Sequence, residues 1–356
     1  MAWYSTGWNY RIKITVDHTK VTADALDFPV LVYENNSTQD QLDDHFWTNV
    51  DTWTSGGVLL PNIVCTSSDG TTVLKAECVF IDIVHQVVEL YVKMNVSSSV
   101  DTDFYLYYGK EQDISSDTDT WNSDNTGVYH LGGTVCPDST SNNNDGSVIG
   151  ATSQNYTLSK IGNSFNFDGT NDYLNLDTLT GHTTSLFSIT TWIKIDTLPS
   201  TRGQHGTIWA HFQDDFNRIY LFVHLSTNRL TCFGKESGST SINITGSVLS
   251  VDTDYQICLT LDSVNNQSKL YINKILVATS TYKNTTTVTN HLVGSLKTTA
   301  GHRLAGSVDE FRITHSCLTP EWIATQYDNQ NDPTAFYSSL THEAKTSGKV
   351  QSFIMI

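Results

Sequence analysis

The chain has 356 residues, of which 38% are apolar, 11% aromatic and only 16% charged, so two domains with substantial cores are the natural expectation. A formal charge of −17 excludes the clustered Lys and Arg that nucleic acid or an anionic membrane surface would need. No apolar run reaches the about 18 residues of a transmembrane helix, and Met1-Ala2-Trp3-Tyr4 leads straight into strand-like sequence rather than a secretory signal.

Few segments carry helical periodicity, which makes the expected class all-β. In Trp3–Asp17, Tyr10, Ile12, Ile14 and Val16 alternate with Arg11, Lys13 and Thr15, the pattern of a half-buried strand. Asp27–Val32 (DFPVLV) is a short apolar run in which Pro29 suits a strand start or an edge. Asn62–Thr66 and Leu74–Ile83 flank a Ser68-Asp69-Gly70 turn as a hairpin, and Glu89–Val96 and Phe104–Tyr108 close this first set. Gln39–Leu60 fits no element. Core packing and sugar stacking both stand as readings of its Trp47 and Trp53. Glu111–Asn125 is acidic and Ser/Asp-rich, an interdomain linker with Trp121 tucked against one neighbour.

The second set opens with Gly127–Leu176, which holds a dense Asp/Asn/Ser/Gly run at Asp138–Gly146 and a turn at Asp168–Asp172. Phe187–Ile195, Ile219–Leu225, Leu230–Phe233, Tyr255–Leu261, Lys269–Ile272, His291–Gly294 and Leu304–Ile313 read as strands. Thr319 caps a short helix through Gln326, with Pro320 at its first position. The cysteines at 65, 78, 136, 232, 258 and 317 contain no CxxC pair. They read as buried thiols, with Cys65–Cys78 the one bridge to consider and no cysteine zinc site. The several Asn-x-Ser/Thr triplets follow from composition alone.

Four motifs in order, Trp8–Asp17 (WNYRIKITVD), Asp27–Val32, Ser68–Leu74 (SDGTTVL) and Tyr105–Gly109, resemble a β-sandwich family of unknown function. That family precedes laminin-G-like modules in microbial surface and phage virion proteins. Gly127–Leu176, Phe187–Ile195 and Gly306–Ile313 (GSVDEFRI) resemble the laminin-G-like, concanavalin A-like jelly rolls. Asn273-Lys274 departs from the Asn-Gly turn usual there, so a less regular hairpin is expected. The resemblance implies two tandem β-sandwiches: a first domain over 1–112, a linker over 113–126, a jelly roll over 127–330 and a C-terminal tail over 331–356.

Three kinds of chemistry can be weighed against the residues. A retaining glycosidase needs two carboxyl groups about 5–5.5 Å apart. Asp309 and Glu310 are adjacent, so on a strand they face opposite ways. With no other catalytic motif, the expectation is a protein that is not an enzyme. Calcium wants about six to eight oxygens, which the Asp138–Asp145 run can supply, and the resemblance brings the strand of Asp309 beside it. Asp138, Asn142, Asp145 and Asp309 are the candidate ligands, and an Asx-rich turn held by its own side chains is the alternative. By fold analogy, Tyr156, Trp209, His211, Phe212 and Phe216 are candidates for a glycan-stacking platform, although core packing accounts equally for Trp209.

The resulting expectation is a non-enzymatic surface protein, extracellular or on a virion. It would serve as a phage or virus capsid decoration or fibre, in contact with neighbouring subunits and host glycans and working as an oligomer or part of an assembly. A secreted carbohydrate-binding adhesin or carbohydrate-active protein is the alternative. No membrane insertion is expected. The tail Ser338–Ile356, polar up to Lys349 and apolar at its end, reads either as a frayed end or as a segment that docks into a neighbouring subunit.

Overall fold

A computed structural model describes residues 2–5, 7–35, 42–50, 52–55, 58–110, 118–156, 158–176, 179, 182, 185–284, 291–297, 302–345 and 350–353. The fold is all-β and forms two compact units, Met1–Asn122 with Ala324–Ile356, and Ser123–Ile323.

In the first unit, strand Tyr10–Val16 lies between Thr102–Tyr108 and Tyr337–Lys345, with Val64–Ser67 and Val350–Phe353 completing a five-stranded sheet among the described residues. A second sheet orders Ala25–Asn35, Val87–Val96 and Ala76–Asp82. Pro29 thus sits on an edge strand, where its missing N–H breaks no ladder. Ile12, Ile14 and Val16 are buried as their alternation requires. Arg11, expected on the wet face, is buried too, because Trp3, Tyr4 and Trp8 pack onto that side with Tyr105 and Tyr107. Its guanidinium lies 4.0 Å over the Tyr105 ring. Its Nη1 donates to the Tyr107 hydroxyl at 2.7 Å and its Nε to the Glu343 carboxylate at 2.7 Å.

Glu343 corrects the expectation of a tail. Tyr337–Lys345 runs antiparallel to Tyr10–Val16 along its whole length, so the sheet includes residues assigned to a tether. The segment lacks the apolar alternation that marks a strand. What holds it is the open backbone edge of Tyr10–Val16 and the Arg11–Glu343 pair, both supplied from the other end of the chain. Ile354–Ile356 lie outside the described residues. Trp47 is buried and donates to the Leu42 carbonyl, which settles it as packing, and the side chain of Trp53 lies outside the described residues. Trp121 packs 5.2 Å from Tyr91 and donates to Glu77.

The second unit is a sandwich. Among the described residues one sheet has seven strands and the other eight, with a single apolar cluster drawn from both. At the middle of the eight-stranded sheet, Ala305–Thr314 pairs with Leu186–Ile195 on one side and with Ser164–Asp168 and Asn125–Tyr129 on the other. A bulge opposite Thr190–Trp192 turns Glu310 to φ 51°. The hairpin at Asn273-Lys274 keeps a two-residue turn, with φ 49° and 64°. Both residues therefore adopt the left-handed backbone of a type I′ turn despite the lysine. Helix Pro320–Asn331 runs past the expected end at Gln326. Thr319 Oγ1 accepts from Trp322 N at its start, and near its end Asn329 pairs with both the N–H and the carbonyl of Leu31. None of the six cysteines is disulfide-bonded, so there is no Cys65–Cys78 bridge.

Candidate binding face

The expected calcium set does not converge. The strand of Asp309 does pair with Asn125–Tyr129, as the resemblance implied, but Asp309 Oδ2 accepts from Ile161 N at 2.9 Å. Asp138 spends both oxygens inside its own loop. Oδ1 takes Val128 N and Thr140 N, each at 3.0 Å, and Oδ2 takes Thr140 Oγ1 at 2.8 Å and Asn144 N at 2.9 Å. Asp145 accepts from Asp138 N at 2.9 Å, while Asn142 turns its amide N–H groups to the carbonyls of Asn125 and Thr126. Among the described residues Asp138, Asp145 and Asp309 do not come together as a three-carboxylate group. A hard cation would have to strip four donors from the buried Asp138 carboxylate, so Asp138 does not fit calcium.

Glu310 is committed through both of its oxygens. Glu310 is buried between His130 Nδ1 at 2.6 Å and Arg312 Nη2 at 2.5 Å. Burial alone would raise its pKa, but the charges and hydrogen bonds of His130 and Arg312 outweigh it and hold the carboxyl ionised, well below the usual range.

The five residues expected to stack on glycans do not form one platform. Trp209 and His211 point inward: Trp209 is fully buried in the sandwich core, and His211 stacks on His291 with ring centroids 4.4 Å apart. Both are therefore core residues, as strand alternation from the buried Ile208–Trp209 bulge dictates. Tyr156 is half-buried beside Thr152–Gln154, an edge strand of the other sheet, and does not join them. Phe212 and Phe216 do belong to an outward face.

That face is built by Gly206–Phe212, Arg218–Val223 and Arg229–Glu236, adjacent strands of the seven-stranded sheet. Ile219, Leu221 and Val223 enter the core. Between them Tyr220 and Phe222 point the other way and form a second cluster with Ala210, Leu296, Phe212 and Phe233. Tyr220 stacks on Phe222 at 4.4 Å and meets Phe233 edge to face at 6.1 Å. Phe212 and Phe233 are half-buried, so their rings are reachable from solvent. In the turn between the first two strands, Asp214 Oδ1 accepts from Phe216 N and Asn217 N, each at 2.8 Å, which leaves Phe216 64% exposed.

Charge borders these rings. Asp215 Oδ1 lies 2.5 Å from Arg218 Nη1 and 3.0 Å from Lys297 Nζ. Lys297 also stands 5.3 Å over the Phe212 ring and Arg218 5.9 Å over Tyr220. The hydrogen bond and charge of Lys297, followed by the charge of Arg218, hold Asp215 below the ordinary carboxylate range. On the other flank His205 contacts Phe222 at 4.5 Å and stacks on His302 at 4.9 Å. Tyr220 and Phe222 are themselves buried, so the reachable rings are Phe212 and Phe233. With the charged rim these can take an amphipathic ligand, C–H faces on the rings and hydroxyls on the rim. Sequence reasoning missed Tyr220, Phe222, Phe233, Asp215, Arg218 and Lys297. The signal for the first two was present: Ile219–Val223 is apolar at every position, more than a one-sided strand needs.

Residues 168–324 match the concanavalin A-like lectin/glucanases superfamily, in its laminin-G-like branch, a match to under half of the chain. No curated protein matches the chain in sequence. Among solved structures, domain 4 of an extracellular arabinanase from Geobacillus stearothermophilus, in complex with arabinotriose, is 18% identical at TM-score 0.47, covering 58% of this chain and 98% of that one. The receptor-binding domain of botulinum neurotoxin C/D mosaic serotype is 16% identical at TM-score 0.49, covering 59% of this chain and 52% of its own. The binding domain of Paraclostridial Mosquitocidal Protein 1 is 13% identical at TM-score 0.46, covering 57% and 52%. The chain thus spans about half the length of these two toxin domains, at similarities too low to carry a function across. What the comparisons establish is a concanavalin A-like domain over residues 168–324.

Proposed function

We propose that the protein is a non-enzymatic binding protein of an exposed surface whose second unit takes glycans on the outward face of its seven-stranded sheet. The observation that carries this reading is the pairing of half-buried Phe212 and Phe233 with the Asp215–Arg218–Lys297 rim, inside a segment matched to a family of lectin-like domains. A binding rather than hydrolytic role is supported by the commitment of both oxygens of Glu310 to His130 and Arg312 and of Asp309 Oδ2 to Ile161 N, an arrangement unlike a free acid and nucleophile pair. The setting we propose is a virion or cell surface. The resemblance of Trp8–Asp17 and its companion motifs to phage and microbial surface proteins supports it, as does the acidic charge.

The test is a glycan array with the full chain, followed by titration of the best ligand. Phe212→Ala and Asp215→Asn should each weaken binding at least about tenfold, about 1.4 kcal/mol, with no reducing sugar released. Binding that survives both substitutions, or the absence of binding to any glycan at millimolar concentration, would overturn the proposal.

A further inference from the structure

Helix Asp44–Asn49 of the first unit begins at Asp43, whose Oδ1 accepts the N–H of Phe46 at 3.1 Å. His45 stands in the first turn, and strand Tyr337–Lys345 brings His342 alongside. Asp43, His45 and His342 each offer one ligand atom such that all three lie within 4.8 Å of one another.

Two features set this cluster apart from ordinary ion pairing. His342 Nδ1 lies 3.3 Å from Asp43 Oδ1, whereas His18–Asp101, His85–Asp82 and His130–Glu310 close to 2.6, 2.7 and 2.6 Å, the length of a charge-assisted hydrogen bond. A tetrahedral zinc with ligands at about 2.0–2.1 Å holds neighbouring ligand atoms about 3.3 Å apart. The Asp43–His342 gap therefore has the span of one edge of a metal's coordination shell. In addition, Asp43 Oδ2 is shielded from solvent and has no hydrogen-bond partner among the described residues, a costly state for a carboxylate oxygen unless a cation faces it. The Tyr108 hydroxyl lies 2.8 Å from His45 Nδ1 and 3.4 Å from His342 Nδ1. Its 2.8 Å contact holds the His45 imidazole in place, while His342 Nδ1 is the nitrogen that faces Asp43.

We propose that Asp43, His45 and His342 bind a divalent first-row transition metal, zinc being the ion that suits two imidazoles and one carboxylate. The metal ties the C-terminal strand to helix Asp44–Asn49. This site belongs to the first unit and is independent of the glycan reading.

The experiment titrates chelator-stripped, full-length protein with zinc chloride by calorimetry and follows hydrogen exchange in Tyr337–Lys345. One equivalent should bind, and zinc should slow exchange in that strand. His45→Ala and His342→Ala should each weaken binding at least about a hundredfold, and His18→Ala should leave it unchanged. Asp43→Asn keeps the helix cap and should weaken zinc at least about tenfold without altering the melting temperature in EDTA, so it decides the matter if a histidine variant fails to fold. No zinc uptake, an equivalent retained in both His342→Ala and Asp43→Asn, or one lost in His18→Ala would overturn the proposal.

Discussion

The two faces of the seven-stranded sheet use the same residue types to opposite ends. On the inward face Trp209 is buried in the core, and His182, His211 and His291 sit ring against ring, with His291 at 4.7 Å from His182 and 4.4 Å from His211. Among the described residues neither ring nitrogen of His182 or His291 has a hydrogen-bond partner. On the outward face His205 keeps one, accepting from Leu225 N at 3.0 Å, and His224 accepts from Ser226 N at 3.2 Å. There Phe212 and Phe233 keep edges in solvent above the buried Tyr220 and Phe222, and Asp215 is matched by Lys297 and Arg218. Residue type alone therefore does not mark a binding residue in this sheet. One step along the strand, from His211 to Phe212, separates core from candidate site.

The comparison breaks most readily at Trp209. Trp209→Ala should cost about 3–5 kcal/mol of stability, while Phe212→Ala should cost less than about 1 kcal/mol, read from urea denaturation. Equal costs would show that the two faces have been wrongly assigned.

Acid sharpens the comparison next. Burial, followed by the neighbouring imidazoles, pushes His182 down to about 3 and His291 well below its ordinary value. His315 also acts on His182. Because the folded values lie below that of the unfolded chain, the unfolded state takes up protons first as pH falls. Stability is full above about pH 6.5. It is lost below that at up to about 1.4 kcal/mol per pH unit for each histidine until the folded value is reached. The urea midpoint at pH 4.5 should therefore fall well below that at pH 7.5, and His291→Leu should flatten the dependence by about one proton. An unchanged slope in that variant would remove His291 from the account.

The smallest expected effect is at Phe216. Its ring is 64% exposed, so Phe216→Ala should change stability by less than about 0.5 kcal/mol. A melting temperature lowered by several degrees would mean that this ring is packed in solution and belongs to no open face.

Much of the strand content was legible because alternation and apolar runs are local. Ile12, Ile14 and Val16 announce their burial, and Phe187–Ile195 reads as the core strand it is. Strand Ser239–Val248 was not legible, since most of its side chains are polar and it lies at the edge of the sheet. Of the residues expected to stack together, Phe212 lies on the outward face and Phe216 in an exposed turn, whereas Trp209 and His211 are buried. A bulge between Thr207 and Trp209 sets which neighbours share a face, and sequence periodicity carries no mark of it. The Asp138–Asp145 run is oxygen-rich in sequence. Whether its oxygens face a cation or one another depends on where the N–H groups of Val128 and Asn144 point.

What the sequence by itself determined is the all-β class and the two sets of strands, because hydrophobic period and turn chemistry act over a few residues. The concanavalin A-like expectation over 127–330 rested on the resemblance of its motifs, and the family match covers 168–324. Tertiary structure alone decided what covers each face and closes each edge. Tyr337–Lys345 becomes a strand only because Tyr10–Val16 presents an unpaired backbone edge, and Arg11 is buried only because Trp3 and Glu343 reach it from opposite ends of the chain. The reason is physical: a backbone hydrogen bond or a buried charge is satisfied by whichever partner the fold brings near, and separation along the chain does not encode that partner.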